Sequence, residues 1–138
     1  MAAKPHLNFR VEPRTLRELD ERAARSGRDR TTLARRYVEE GLRTDEHPLI
    51  RFSDGPLGRR ASLAGCGLDV WEAVETIRVN GGSLEDAAAY LEIAFPLVQA
   101  AASYYAAYPD EVDAIVSRAH EEADRAEALA TKAHDAFA

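Results

Sequence analysis

The segment HLNFRV, residues 6–11, constrains the fold of this chain more than any other stretch. Apolar and polar side chains alternate along it, which is the pattern of a β-strand with one buried face. The residues that follow, to about 44, read as helix, so the front of the chain offers no second strand. Because a lone strand leaves a row of backbone N–H and C=O groups without partners, we predict that it pairs antiparallel with the same strand of a second copy, in a homodimer.

Two amphipathic helices are predicted after the strand. Pro13 suits the first turn of the first helix, and Gly27 supplies its end. Asp29 reads as the N-cap of the second helix. The apolar residues of that helix are spaced to bury one face: Leu33, Ala34, Tyr37, Val38 and Leu42. In a dimer, the apolar side of the paired strands would lie on these four helices.

The other side of such a two-stranded ribbon would carry His6, Asn8 and Arg10 from each copy. A ribbon of this width fits the major groove of B-DNA, where an Asn amide can bind adenine and an Arg fork can bind guanine. We therefore predict that these three residues contact base edges; the alternative is that they only solvate an ordinary strand. Residues 1–44 hold eleven Lys and Arg against seven Asp and Glu, a surplus of cations that would attract phosphates.

Residues 6–42 resemble ribbon-helix-helix repressors and antitoxins. The resemblance rests on the strand alternation, the helix lengths, the Gly27-Arg28 turn and the RTTLARR opening of the second helix. It implies an intertwined dimer that represses transcription from operator DNA, with the second helix holding a phosphate at its start. The residues assigned to phosphates are Arg28, Arg30, Thr31 and Arg35. This chain departs from the family at Asp29, where a Ser or Thr is usual, and a carboxylate repels phosphate.

A second module is predicted after the polar stretch TDEHP, which we interpret as a hinge. Two short strands flank a turn that contains Asp54, Gly55, Pro56 and Gly58. Three helices follow: one opened by a capping box of Asp69 and Glu72, one capped by Ser83, and one from about 96 to 108. A strand pair with three helices of this size resembles a winged helix, which we assign to residues 45–109.

Residues 47–113 resemble a small winged-helix family that is found in bacterial antitoxins and is usually encoded beside PIN-like ribonuclease toxins. The resemblance rests on the HP-x-I-x-F opening, the VWE helix start, the GGS-x-E-D turn and the ending from Tyr104 to Glu111. The chain differs at Phe95-Pro96, where a capping Thr or Ser is commoner. The resemblance implies association with a toxin. Because residues 79–117 contain no Lys, Arg or His, we predict that this module does not read DNA. The alternative is that it binds DNA through the hairpin residues Arg51, Arg59 and Arg60.

The last segment, residues 110–138, is predicted to be one long helix. Its small apolar residues recur at spacings of three and four: Ile115, Ala119, Ala123, Ala126, Ala130, Ala133 and Phe137. So narrow a seam favours close docking on another protein, and the acidic flanks would complement the basic groove of a ribonuclease. The predicted toxin contacts are Asp113, Arg118, Glu121, Glu122, Arg125 and Leu129. The alternative is a solvated helix in which Glu121 and Arg125 form a routine surface pair.

Catalysis is not expected, because the chain has no nucleotide loop, metal-binding helix motif or nucleophile elbow. We therefore expect neither a metal site nor a cofactor, and the single Cys66 excludes an internal disulfide. No stretch has the roughly 20 apolar residues of a membrane span, and the start lacks a secretory pattern. We expect a cytoplasmic location.

The sequence thus predicts a mainly α protein in three parts: a ribbon-helix-helix domain at 1–44, a winged-helix-like domain at 45–109, and a C-terminal helix at 110–138. We interpret it as the antitoxin of a type II toxin-antitoxin pair, which neutralises a PIN-like ribonuclease and represses its own operon. One alternative is a ribbon-helix-helix regulator without a toxin, whose second domain senses a ligand or mediates assembly. Another is a structural adaptor that does not bind DNA.

Overall fold

The structure is a computed structural model, and it describes residues 3–138. This part of the chain contains six helices and one pair of strands. In chain order they are α1 (Pro13–Ser26), α2 (Arg30–Glu46), β1 (Ile50–Ser53), β2 (Arg60–Leu63), α3 (Val70–Val79), α4 (Leu84–Leu91), α5 (Phe95–Ala107) and α6 (Pro109–Ala136). The prediction of a mainly helical chain with a short strand pair and a long last helix is confirmed. The residues group into two compact units, of which the first ends at Leu42 and the second is Arg43–Ala138.

The ends of the first two helices are set by local sequence signals. Pro13 is the first residue of α1, where a missing N–H costs nothing. Gly27 ends that helix with φ 66°, a left-handed conformation that glycine adopts without a steric penalty. The N–H of Thr32 donates to the Asp29 carboxylate at 2.8 Å, so Asp29 caps α2. These three predicted signals are confirmed.

The first unit has almost no core of its own. Among the described residues up to 42, the buried side chains are Ala23 and Leu33. Residues 3–12 form neither helix nor strand within the chain. The large apolar side chains left exposed in this unit are Leu7, Phe9, Val11, Tyr37, Val38 and Leu42. The strand pairing predicted for residues 6–11 requires a second copy, and it stays a prediction.

The second unit is built around an antiparallel hairpin in which Ile50 pairs with Leu63 and Ser53 with Arg60. The two predicted strands and their turn are confirmed. Ile50 and Leu63 are buried in a core that α3, α5 and the start of α6 complete. The predicted hinge takes another form: residues 44–46 continue α2, and the chain turns at 47–49. Residues 44–46 contain neither Gly nor Pro, so they can continue the helix. Pro48 then disfavours helical backbone at His47, the residue before it.

The starts of α3, α4 and α5 differ in how far the sequence foretold them. Ser83 caps α4 as predicted, accepting from the Asp86 N–H at 3.1 Å. Asp69 does occupy the N-cap position of α3, and the Glu72 carboxylate accepts a hydrogen bond from the Asp69 backbone N–H, which is one half of the predicted capping box. The other half is not formed, because the Asp69 side chain makes no capping bond. Its carboxylate instead accepts from the Arg60 guanidinium and from the Trp71 indole N–H, because a partly buried arginine offers a charge-assisted bond that a backbone N–H does not. α5 begins at Phe95 without a side-chain cap.

The last helix extends well past the core that anchors it. α6 has 28 residues, so it is about 42 Å long, whereas its neighbour α5 has 13 residues. Its buried residues are Val112, Ile115 and Val116. Every residue from 120 onward is exposed. The described residues include no helix with both the length and the apolar character that a membrane crossing requires.

Glu92 offers a test of the backbone. It is the residue after α4 and holds φ 55°, a left-handed conformation in a non-glycine residue. Glu92→Gly should raise the free energy of unfolding by about 0.5–1 kcal/mol, because glycine adopts this conformation without strain. Urea titration measures the change. The matched control is Ala89→Gly in the same helix, which should lower the free energy by about 1 kcal/mol. Destabilisation by both variants would contradict this account of Glu92.

Candidate nucleic-acid and partner interfaces

The predicted base-contacting residues lie on a segment whose two faces are both open. His6, Asn8 and Arg10 are exposed, and between them Leu7 and Phe9 are 70% and 62% exposed. Apolar groups gain stability only when they leave water, and in the single chain these side chains remain in it. The apolar side chains that the predicted ribbon would bury and the polar side chains that it would present to DNA are therefore both accessible.

The start of α2 is occupied by groups of the chain itself. Arg30 Nε and Nη2 both donate to the Asp20 carboxylate, at 2.7 and 2.8 Å. The Asp29 carboxylate accepts from the N–H and the hydroxyl of Thr32, at 2.8 and 3.0 Å. Those bonds with Thr32 hold the pKa of Asp29 below its ordinary value. Of the other predicted phosphate contacts, Thr31 and Arg35 are exposed and Arg28 is half-buried.

The first turn of α6 is held by an arginine from the end of α2. Arg43 Nη1 donates to Glu111 Oε1 at 2.6 Å and to the Tyr104 hydroxyl at 3.0 Å. The same hydroxyl donates to Glu111 Oε2 at 2.5 Å, and Tyr104 is fully buried. The guanidinium also lies over the Tyr108 ring, 4.2 Å from its centroid. We call this group the Arg43 cluster.

A second arginine holds the next turn of α6. Arg78 of α3 donates to Asp113 at 2.8 Å and to the Tyr105 hydroxyl at 2.6 Å, and that hydroxyl also donates to Asp113 at 3.0 Å. The hydrogen bonds from Arg78 and then Tyr105 lower the pKa of Asp113. Asp113, one of the predicted toxin contacts, therefore has an intramolecular role in joining α6 to α3 and α5.

Arg118, another predicted toxin contact, binds the hairpin turn. Its Nη1 donates to the Leu57 carbonyl at 2.8 Å. A Cβ on Gly58 would lie 3.2 Å from that nitrogen, and Gly58 has φ 92°. The tip of the hairpin is thus tied to the third turn of α6. The partners of Arg43, Arg78 and Arg118 are distant in sequence, so no spacing rule in the sequence pointed to them.

The remaining predicted toxin contacts lie on the exposed part of α6. Glu121, Glu122, Arg125 and Leu129 all face solvent, and Arg125 pairs with Glu122 at 3.2 Å rather than with Glu121. Leu129 is 60% exposed and Phe137 is 93% exposed. We call residues 120–136 the distal half of α6. The structure therefore divides the six predicted contacts into two that secure α6 and four that are available to a partner.

Tyr104 allows the Arg43 cluster to be tested. Tyr104→Phe removes a buried hydroxyl that makes two hydrogen bonds, so it should lower the free energy of unfolding by about 1–2 kcal/mol at neutral pH. Burial, and then the hydrogen bond to Glu111, raise the pKa of Tyr104. Because the folded state then keeps its proton at a pH where the unfolded chain releases it, the wild type should lose stability as the pH rises above about 10.

Urea unfolding of the wild type, Tyr104→Phe and Tyr105→Phe at neutral and alkaline pH checks this expectation. The alkaline loss should be smaller in Tyr104→Phe than in the wild type, and it should persist in Tyr105→Phe. Identical pH profiles for the wild type and Tyr104→Phe would show that the hydroxyl of Tyr104 is not held as described.

The chain thus presents an open apolar and polar segment at residues 6–11 and an exposed helix at residues 120–136. Within the described residues, no three His, Cys, Asp or Glu side chains are grouped as metal ligands would be. Comparison with protein-family models, with curated proteins and with solved structures gives no match.

Proposed function

We propose that this protein is an antitoxin that dimerises through its first unit, binds operator DNA, and neutralises a PIN-like ribonuclease through α6. One observation carries the proposal: the chain leaves apolar surface open at both of its ends, in two different forms. Among residues 3–138, the first unit buries Ala23 and Leu33, and every residue of the distal half of α6 is exposed. Two such surfaces support two binding events.

The first unit favours a second copy as its partner. A single-chain unit of about 40 residues seldom folds alone without a disulfide, a metal or another subunit, and the described part of this one buries two side chains. Antiparallel pairing of residues 6–11 across a two-fold axis would satisfy both rows of backbone groups at once. It would also cover Leu7 and Phe9 with the exposed side chains of α2. A ribbon-helix-helix dimer fits these requirements.

Dimerisation would give the polar face of residues 6–11 a use. Two copies would present six polar side chains on one ribbon, and a major groove admits a ribbon of two strands. Asn8 and Arg10 have the bidentate amide and guanidinium groups that distinguish adenine and guanine. Reading of operator DNA is the function that suits this face best.

The charge of the second unit favours a partner other than DNA. From 79 to 117 the chain has no Lys, Arg or His, so this stretch contributes no cation to neutralise phosphates. The hairpin turn is tied to α6 by Arg118. A winged-helix-like module of this kind would serve as a platform for α6 rather than as a second DNA reader.

The distal half of α6 favours a partner with a narrow apolar groove and a basic rim. Small residues repeat on one face at spacings of three and four: Ala119, Ala123, Ala126, Ala130 and Ala133. Alanine allows a facing helix to approach to about 8 Å between axes. Glu122 and Glu127 flank this seam, so the acidic helix would repel a second copy of itself and attract cations. A nuclease groove that binds RNA has such a rim.

Phe9 and its neighbours test the dimer and the DNA contact separately. Phe9→Asp puts a charge on the apolar face, so it should abolish both the dimer and DNA binding. Asn8→Ala with Arg10→Ala should keep the dimer and weaken specific binding by about 1–3 kcal/mol per lost base contact. Light scattering gives the mass, and fluorescence anisotropy on duplexes from upstream of the coding sequence gives the affinity. A Phe9→Asp variant that still dimerises would refute the proposed pairing.

Two alanines in α6 test the partner surface. Ala126→Glu lies in the seam, whereas Ala128→Glu lies on the opposite side of the same helix and changes charge and helix propensity equally. Under this proposal, we expect a PIN-like ribonuclease to be encoded beside this gene. Ala126→Glu should abolish inhibition of that ribonuclease in an RNA-cleavage assay, and Ala128→Glu should retain it. A chain that ends after Ala119 keeps Val112, Ile115 and Val116 and should remain folded but lose inhibition.

The same assay separates the antitoxin from the alternative regulator. If neither the wild type nor Ala128→Glu inhibits or binds the neighbouring nuclease, the antitoxin function is wrong, while operator binding would stand on its own measurement. Equal inhibition by Ala126→Glu and Ala128→Glu would move the partner surface away from the seam.

A further inference from the structure

The end of α1, the turn after it and the start of α2 hold the densest run of cations in the chain. Six arginines lie between 22 and 36: Arg22, Arg25, Arg28, Arg30, Arg35 and Arg36. Phosphates are attracted to clustered guanidinium groups through a largely sequence-independent electrostatic term. Any DNA that the first unit binds should therefore approach this region. Asp29 lies within this run and Asp20 lies just before it, and both carry the opposite charge.

Asp29 is a permanent negative charge in this region. Its carboxylate is bonded to the N–H and the hydroxyl of Thr32, and these bonds lower its pKa. The group stays ionised at neutral pH. The cap itself does not require that charge, because asparagine caps helices about as well as aspartate does. The charge favours the positive end of the α2 dipole, and at the same place it would repel a phosphate that approaches the start of α2.

Asp20 acts on the same region by engaging a cation. Its carboxylate accepts hydrogen bonds from both Nε and Nη2 of Arg30. A phosphate would bind the guanidinium in the same two-bond geometry. The pKa of Asp20 is lowered first by this hydrogen bond with Arg30. A phosphate that approached Arg30 would have to displace Asp20.

We propose that Asp29 and Asp20 limit the affinity of the first unit for DNA, Asp29 by repelling phosphate and Asp20 by occupying Arg30. This inference rests on the proposed DNA binding. It assigns to the two acids a tuning role: the polar face of residues 6–11 supplies selectivity, while phosphate attraction near α2 is held down. Weak phosphate attraction raises the share of binding that depends on base sequence.

Asp29→Asn tests the repulsion, because it keeps the cap and removes the charge. The control is Asp124→Asn on the exposed distal half of α6, which changes the net charge of the chain equally. The probe is a mixed-sequence DNA duplex of about 24 base pairs, since phosphate contacts do not depend on sequence. At about 50 mM salt, Asp29→Asn should bind about ten-fold more tightly, from about three-fold in each copy of the dimer. The gain should shrink at about 200 mM salt, where screening is stronger.

Asp20→Asn tests the second half of the proposal. It releases Arg30 to phosphate in each of two copies, so the slope of log affinity against log salt should steepen by about 1.8, twice the value for one phosphate contact. Asp124→Asn should leave the slope unchanged. Thermal melts of all variants establish that they are folded before the affinities are compared.

The outcomes separate the inference from the function on which it rests. If the wild type binds the duplex and Asp29→Asn binds no more tightly than Asp124→Asn, the inference is overturned and DNA binding stands. If neither the wild type nor Asp29→Asn binds any duplex, DNA binding is wrong and the inference falls with it. Binding by Asp29→Asn where the wild type shows none would support both.

Discussion

The shortage of buried apolar surface before Arg43 governs the rest of this molecule. Ordering each residue of a backbone costs about 1–2 kcal/mol in conformational entropy, and apolar burial is the main compensation. The described residues up to 42 bury Ala23 and Leu33, while six large apolar side chains are exposed: Leu7, Phe9, Val11, Tyr37, Val38 and Leu42. Helix caps at Gly27 and Asp29 stabilise α1 and α2 locally, but caps contribute only about 1 kcal/mol each. In the proposed dimer, a second copy would supply the compensation that this unit lacks.

The second unit has a core of its own. That core anchors the start of α6 and leaves the distal half of the helix exposed. Arg43 and Arg78 reach the first turns of α6 from two other helices, and Arg118 ties the third turn to the hairpin. Several anchored contacts at one end fix the direction of the helix that continues from them. A surface that is already ordered loses less entropy when it binds. This favours the distal half of α6 as a preformed binding element.

Local signals in the sequence predicted most of the helices and strands. The side-chain contacts that the sequence did not predict join residues that are far apart along the chain. Pro13, Gly27 and Ser83 act within three or four residues, so their roles can be read from spacing alone. The partners of Asp69, Asp113 and Arg118 depend on the tertiary fold. Asp69 has the spacing of a capping box with Glu72, yet its carboxylate serves Arg60 and Trp71. Charged residues on α6 read as partner contacts from sequence, although two of them secure the helix.

The pairing of residues 6–11 between two copies is the central claim, and backbone amide hydrogen exchange tests it most directly. At concentrations where the protein is a dimer, amides of this segment should exchange slowly, and the protection should be lost on dilution to monomers. Exchange at the rate of an unstructured peptide, at every concentration, would contradict the account.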